Sequence, residues 1–230
     1  MFKLIAFDLD NTLAGVGKPV TDGDVERLKQ LEASGVRIAI CSGKPTYYLC
    51  GFARQLGLKA PILVGENGGV IQFGVDLPPK RYYTLPCSDG AARSIELLRT
   101  AIVERLPAMW FQPNIIALTP FPTCQGDFDA IEDAIASLEG ELQDVTIYRH
   151  FDSYDVIPDN ISKGSGLAYL AQLLGITAAD IAAVGDGVND YPMFEYAGFS
   201  LGVGLKEPER ADHNVDTSTQ ALEYLLQLVE

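Results

Sequence analysis

Leu4-Ile5-Ala6-Phe7-Asp8-Leu9-Asp10-Asn11-Thr12 opens the chain with four apolar residues that run straight into two carboxylates. So short and so wholly apolar a run reads as a strand buried on both faces, the kind found inside a parallel sheet. Val36–Cys41 and Ile62–Val64 have the same character, and helical patterns separate the three. The first helix starts at a capping-box-like Thr21 and Asp24, spaces Val25, Leu28 and Leu31 three apart and stops at Gly35. A second, over Tyr47–Leu56, stops at Gly57. Strand and helix in alternation predict an α/β domain with a parallel sheet.

The alternation then breaks. Gly65-Glu66-Asn67-Gly68-Gly69, Gly74 and Pro78-Pro79 are turn punctuation, and the stretch 80–158 mixes helices near Asp89–Leu106 and Asp127–Leu138 with strand-like runs at Ile115–Thr119, Val145–Tyr148 and Tyr154–Ile157. Such mixing predicts a small α+β module inserted between 1–79 and 159–230, the two halves of a larger domain. From Ser162 the earlier rhythm returns: a helix carrying Leu167, Leu170, Ala171 and Leu174 and ending at Gly175, then a strand at Ile181–Val184. A short helix at Tyr191–Tyr196, a strand near Phe199–Val203 and an amphipathic C-terminal helix with Ala221, Leu222, Leu225 and Leu228 complete the reading.

Chemistry is expected where strands end, because ligands of open α/β sheets bind at the carboxyl ends of the strands. Asp8 and Asp10, two apart, can face the same side there. The Asp-x-Asp start is not an EF-hand, since Leu13 stands where its glycine belongs and Pro19 where its glutamate would be. Gly185-Asp186-Gly187-Val188-Asn189-Asp190 follows a second strand with a second acidic pair. Four carboxylates converging on one crevice call for a hard, oxygen-seeking cation, and magnesium suits that role. Ser42-Gly43-Lys44 ends the second strand with a hydroxyl and backbone N–H groups fit for a phosphate oxygen, although it is no Walker loop because Ile38 stands at the first glycine position. Lys163, at a helix start, can neutralise phosphate charge. Gly202-Val203-Gly204 is not a dinucleotide fingerprint, since Glu207 stands at the third glycine position.

Composition narrows the function. The 230 residues are 47% hydrophobic and carry 31 acidic against 17 basic side chains, a formal charge of −14. Dispersed basic residues on so acidic a chain argue against nucleic acid and anionic membrane as partners. No signal-like or membrane-spanning run is evident, so a cytoplasmic location is expected. Cys41, Cys50, Cys87 and Cys124 form no CxxC pair, and His150 and His213 alone could complete a zinc site, so the cysteines read as reduced and structural.

The order hhhhDxDxT at residues 4–12, Ser42-Gly43 after a strand, Lys163, and GDxxND at residues 185–190 resembles the haloacid dehalogenase superfamily, and it spans most of the chain. The long insert resembles the C2-type cap of the Cof-like class IIB, and Gly65–Gly69 is similar to the loop of archaeal-type phosphoglycolate and sucrose-phosphate phosphatases. The resemblance implies a Rossmann-like, doubly wound parallel core with an α+β cap. It further implies a Mg2+-dependent phosphomonoester hydrolase acting on a small phosphorylated metabolite, with phosphoglycolate or a sugar phosphate favoured.

By the same resemblance Asp8 is the nucleophile that forms an aspartyl-phosphate, and Asp10 is the general acid and base. Ser42, Gly43, Lys163 and Asn189 hold phosphate. Asp8, the backbone carbonyl of Asp10, Asp186 and Asp190 hold the metal, and Lys44 and Asn67 meet the substrate. Asn11 replaces a commoner glycine and Lys44 a commoner arginine. Arg81, Trp110, Gln112, Asn114 and Thr119 are candidates for contact with the leaving group. A phosphotransferase or phosphomutase with the same intermediate is the alternative enzyme, and a phospho-aspartate receiver is the alternative of another class, disfavoured by an acid/base group so near the nucleophile. A monomer or homodimer is expected.

Overall fold

A computed structural model of the protein describes residues 2–229. It divides into two units: one comprises the residues up to Thr84 and from Ser162 on, and the other is Leu85–Ile161.

The first unit is built on eight strands: β1 (Leu4–Asp8), β2 (Arg37–Cys41), β3 (Ile62–Gly65), β4 (Val70–Phe73), β5 (Arg81–Thr84), β10 (Ile181–Gly185), β11 (Phe199–Val203) and β12 (His213–Val215). Their order across the sheet is β12-β11-β10-β1-β2-β3-β4-β5. All pairs from β12 to β3 are parallel, whereas β3, β4 and β5 pair antiparallel. The chain moves from β1 toward β3 on one side and returns to place β10 on the other side of β1, so the topological switch point lies between β1 and β10. Register aligns Asp8 with Cys41 and Phe7 with Val184, which brings the loops after β1, β2 and β10 to one edge.

Helices cover both faces. α1 (Asp22–Ala33), α2 (Thr46–Leu56) and α7 (Ser218–Val229) bury Leu28, Leu31, Leu49, Leu222 and Leu225 against Ile5, Phe7, Ile38 and Ile40. A single truncation such as Leu28→Ala in so tight a layer costs about 2–5 kcal/mol. α5 (Lys163–Leu174) and α6 (Tyr191–Tyr196) pack on the opposite face. Local chemistry sets the helix ends as the sequence suggested. The Thr21 hydroxyl accepts from the Asp24 N–H, while Gly57 and Gly175 close α2 and α5 in the left-handed conformation, at φ 69° and 64°.

The second unit contains α3 (Asp89–Arg105), the hairpin β6 (Trp110–Gln112) and β7 (Thr119–Phe121), α4 (Gln125–Ser137), and the hairpin β8 (Val145–Arg149) and β9 (Tyr154–Pro158). A bridge between Leu118 and Val156 joins the hairpins, and Leu98, Ile102, Ile131, Tyr154 and Val156 form its core. The mixed α+β character expected of the insert is present. Its limits differ from 80–158, because Arg81–Thr84 pair with β4 and so belong to the large sheet. Ile115–Thr119 is not one strand: the Asn114 N–H donates to the Gln112 carbonyl, the backbone bends at Ile115 and Ile116, and β7 begins only at Thr119.

Candidate active site

Three carboxylates meet at the switch point. Asp8 ends β1, and Asp186 and Asp190 follow β10; each offers an oxygen lying within 4.8 Å of the others'. Asp8 and Asp190 are buried and Asp186 is half-buried. Lys163, the first residue of α5 and itself buried, reaches into the group: its Nζ donates to Asp8 Oδ1 at 2.5 Å and to Asp190 Oδ1 at 2.7 Å. A capping box fixes the turn that carries it, with the Ser162 hydroxyl accepting from the Ser165 N–H and the Ser165 hydroxyl accepting from the Ser162 N–H.

Asp190 also organises the loop that precedes it. Its Oδ2 accepts from the N–H groups of Asp186 at 3.0 Å and Gly187 at 3.1 Å, so both of its oxygens are engaged. Gly185 makes this approach possible, since a Cβ there would lie 2.5 Å from the Asp190 carboxylate. Thr12 donates its hydroxyl to Asp186 Oδ1 at 3.2 Å and is buried. That role was not assigned from sequence, although the threonine stood in the quoted motif.

The charges do not balance. Three carboxylates and one ammonium leave two formal negative charges in a largely dry site. Burial, followed by the nearness of Asp190 and Asp186 and against the pull of Lys163, pushes the Asp8 carboxyl from 3.8 up to about 7. Burial and Asp190 also raise Asp186. Burial alone would lower the Lys163 ammonium, but Asp8 and Asp190 outweigh it and hold it above its ordinary range. A divalent cation bound by oxygen ligands is what this donor set fits in charge and chemistry.

The expectation of four converging carboxylates is met by three. β1 ends at Asp8, so Asp10 lies in the following loop, where Lys44 Nζ donates to its Oδ2. Among the described residues, the carboxylates with an oxygen within 4.8 Å of one another are those of Asp8, Asp186 and Asp190, and Asp10 is not among them. Ser42 is buried, its Oγ accepting from the Lys44 N–H at 3.2 Å. The loop after β3 is tied to it: the Asn67 N–H donates to the Ser42 carbonyl and the Glu66 N–H to the Lys44 carbonyl, both at 3.0 Å. Glu66 and Asn67 hold positive φ of 52° and 54°, a conformation that costs non-glycine residues on the order of 1 kcal/mol or more each and is typical of functional loops. The Asn67 side chain lies against Gly43, where a Cβ would be 3.2 Å from its amide nitrogen. Asn189 is exposed, and among the described residues no hydrogen bond joins its side chain to the trio.

The leaving-group candidates separate. Arg81, on β5, stacks over the Phe73 ring at 3.7 Å from its centroid. Trp110 packs edge-on to Phe121. Gln112, Asn114 and Thr119 form a hydrogen-bonded chain that ends on Asp155. His150 sits 3.5 Å from Asp155 and His213 stacks on Tyr224, so neither histidine joins a zinc-like cluster among the described residues.

A model of haloacid dehalogenase-like hydrolases matches residues 5–83 and 112–220. The chain belongs to the haloacid dehalogenase-like hydrolase family. Relatives of this family member include the phosphoglycolate phosphatase of Methanopyrus kandleri, 29% identical over 219 residues that span 94% of this chain and 88% of that one. The phosphoglycolate phosphatase of Methanosarcina acetivorans is 28% identical over 233 residues, 97% and 96% of the two chains. The HMP-PP phosphatase of Cronobacter sakazakii is 26% identical over 235 residues, 91% and 86% of the two. The fold is that of solved haloacid dehalogenase structures. A hydrolase from Bacteroides thetaiotaomicron superposes with a TM-score of 0.75 at 21% identity, covering 98% of this chain and 100% of that one. A subclass IIB sugar phosphatase gives 0.72 at 19%, covering 97% and 98%. Family and relatives together make this haloacid dehalogenase-like hydrolase a phosphatase. No helix among the described residues is long and apolar enough to cross a membrane.

Proposed function

We propose that the protein hydrolyses a small phosphate monoester through an aspartyl-phosphate on Asp8, with Mg2+ as cofactor. The observation that carries this reading is the Lys163 ammonium held between Asp8 and Asp190, with Asp186 beside them, at the switch point of the sheet. Asp8, Asp186 and Asp190, with the backbone carbonyl of Asp10, would hold the ion. Bound there, it would offset the repulsion between carboxylates and phosphate and stabilise charge on the phosphoryl oxygens.

In the first transfer an Asp8 carboxylate oxygen bonds to phosphorus. The bond from phosphorus to the leaving oxygen breaks with its electron pair, and Asp10 gives that oxygen a proton. In the second, water attacks the same phosphorus, its proton passes to the Asp10 carboxylate, and the bond to Asp8 breaks to restore the free carboxylate and release phosphate. The Ser42 hydroxyl, the Gly43 N–H and the Lys163 ammonium hold the moving phosphoryl oxygens. Asn189 supports them from the loop after β10, and Lys44 and Asn67 meet the substrate. Lys44 also holds the Asp10 carboxylate in place.

Phosphoglycolate, the substrate in the names of two relatives, and sugar phosphates are the favoured metabolites. The formal charge of −14 supports a small-molecule partner over nucleic acid or an anionic membrane, and a cytoplasmic monomer or homodimer is the setting we infer. The test is phosphate release from a panel of hydroxy-acid and sugar phosphates with Mg2+, with and without a sugar acceptor. Asp8→Asn should abolish release; wild-type turnover in that variant would remove the nucleophile assignment. Transfer to the sugar in place of release would favour the phosphotransferase alternative.

A further inference from the structure

The segment after Asp10 builds a second feature. Asn11 donates its N–H to the Ala14 carbonyl, Leu13 and Ala14 donate theirs to Leu9, and Lys18 donates to Gly15, so the chain folds back on itself in successive tight turns. Thr12, Leu13 and Val20 are buried and pin both ends, while Gly15–Pro19 stand exposed. Between this loop and α2 lies a cavity of about 260 Å³, lined by Asp10, Gly17, Lys18, Pro19, Tyr48 and Phe52 among others.

Lys44 is bonded to Asp10 and stands 5.6 Å from the centre of the Tyr48 ring, so it offsets the charge of Asp10. Lys18 is different. It lines the cavity, and among the described residues its ammonium has no carboxylate or hydrogen-bond partner, although acidic side chains outnumber basic ones on this chain by 31 to 17. The turn from Gly15 to Lys18 anchors its backbone.

We propose that this cavity is the subsite for the leaving group, and that Lys18 selects phosphate esters whose alcohol part carries a carboxylate. The inference rests on the phosphatase reading above and adds which residue sorts the substrates. One uncommitted ammonium matches one negative charge. A second phosphate, with two, would keep one charge without a partner on a chain of formal charge −14. The space also suits a fragment of a few heavy atoms, below the range of about 300–1,000 Å³ usual for larger ligands.

The experiment compares 2-phosphoglycolate with 2-hydroxyethyl phosphate, which is nearly equal in size but lacks the carboxylate. Wild-type protein with Mg2+ should favour the carboxylate ester about tenfold in kcat/KM, equivalent to about 1.4 kcal/mol, with the difference residing in KM. In Lys18→Met the ratio should fall toward one, in Lys18→Glu below one, and in Lys18→Arg it should persist. Equal kcat/KM for both esters in the wild type, or an unchanged ratio in Lys18→Met, overturns the subsite while the phosphatase reading stands. Release from a sugar phosphate but from neither of these esters overturns the subsite alone, and absence of release from the whole panel overturns both.

Discussion

Replacing Lys163 by Met isolates the electrostatics of the site. The side chain is buried, and its two carboxylate contacts, at 2.5 and 2.7 Å, involve groups that are themselves almost without solvent. Removing one partner of a buried ion pair costs about 3–5 kcal/mol, because the remaining charge is left in a medium that cannot solvate it. Here one substitution strands two carboxylates, and methionine fills most of the vacated volume, so the loss is electrostatic more than a cavity effect. At about 2–4 °C per kcal/mol for a unit of this size, the melting temperature in chelator should fall by about 6–20 °C. Calorimetry is the appropriate assay, since Trp110, the one tryptophan, lies in the unit Leu85–Ile161 and its fluorescence reports that unit instead. A chelated variant melting within about 2 °C of wild type, less than 1 kcal/mol on the same scale, would show that the buried lysine is not what neutralises the trio.

Other outcomes follow from the same geometry. The folded Asp8 carboxyl sits above its ordinary value, so its contribution to stability is full below about 3.8 and is lost as pH rises through about 7. The chelated protein should therefore melt lower as pH rises through that window, and Asp8→Asn should flatten the trend; an identical slope in the variant would discount the burial of Asp8 as its cause. Because a cation needs the deprotonated carboxylate, Mg2+ affinity should move oppositely, weakening below about pH 7, which titration calorimetry at several pH values would detect. Gly185→Ala places a methyl group 2.5 Å from the Asp190 carboxylate, so it should weaken cation binding by at least about tenfold, or about 1.4 kcal/mol, while a substitution at the exposed Gly51, with open space around it, should not.

Much of this was legible in the residues themselves. Short apolar strands ending in Asp8, Cys41 and Gly185 announced both the sheet and its reactive edge, since a doubly buried strand has few other ways to be written. The helix ends were equally plain at Thr21, Gly57 and Gly175, where the signal is local. What the sequence hid depends on partners far along the chain. Thr12 gains its role from Asp186, 174 residues away, and Asp10 meets Lys44, 34 residues on. β4 and β5 follow the Glu66-Asn67 loop as an antiparallel pair, and the turn punctuation at Gly74 and Pro78-Pro79 places Arg81–Thr84 with the insert although the strand returns to the large sheet.

The direct measurement is equilibrium titration of chelator-stripped protein with Mn2+, followed by the loss of the free-ion resonance. The two uncompensated charges among Asp8, Asp186, Asp190 and Lys163 predict one divalent ion per chain, displaced by Mg2+ and weakened in Asp190→Ala. A protein that binds no ion, or an Asp190→Ala variant that binds it as tightly as wild type, would contradict the assignment.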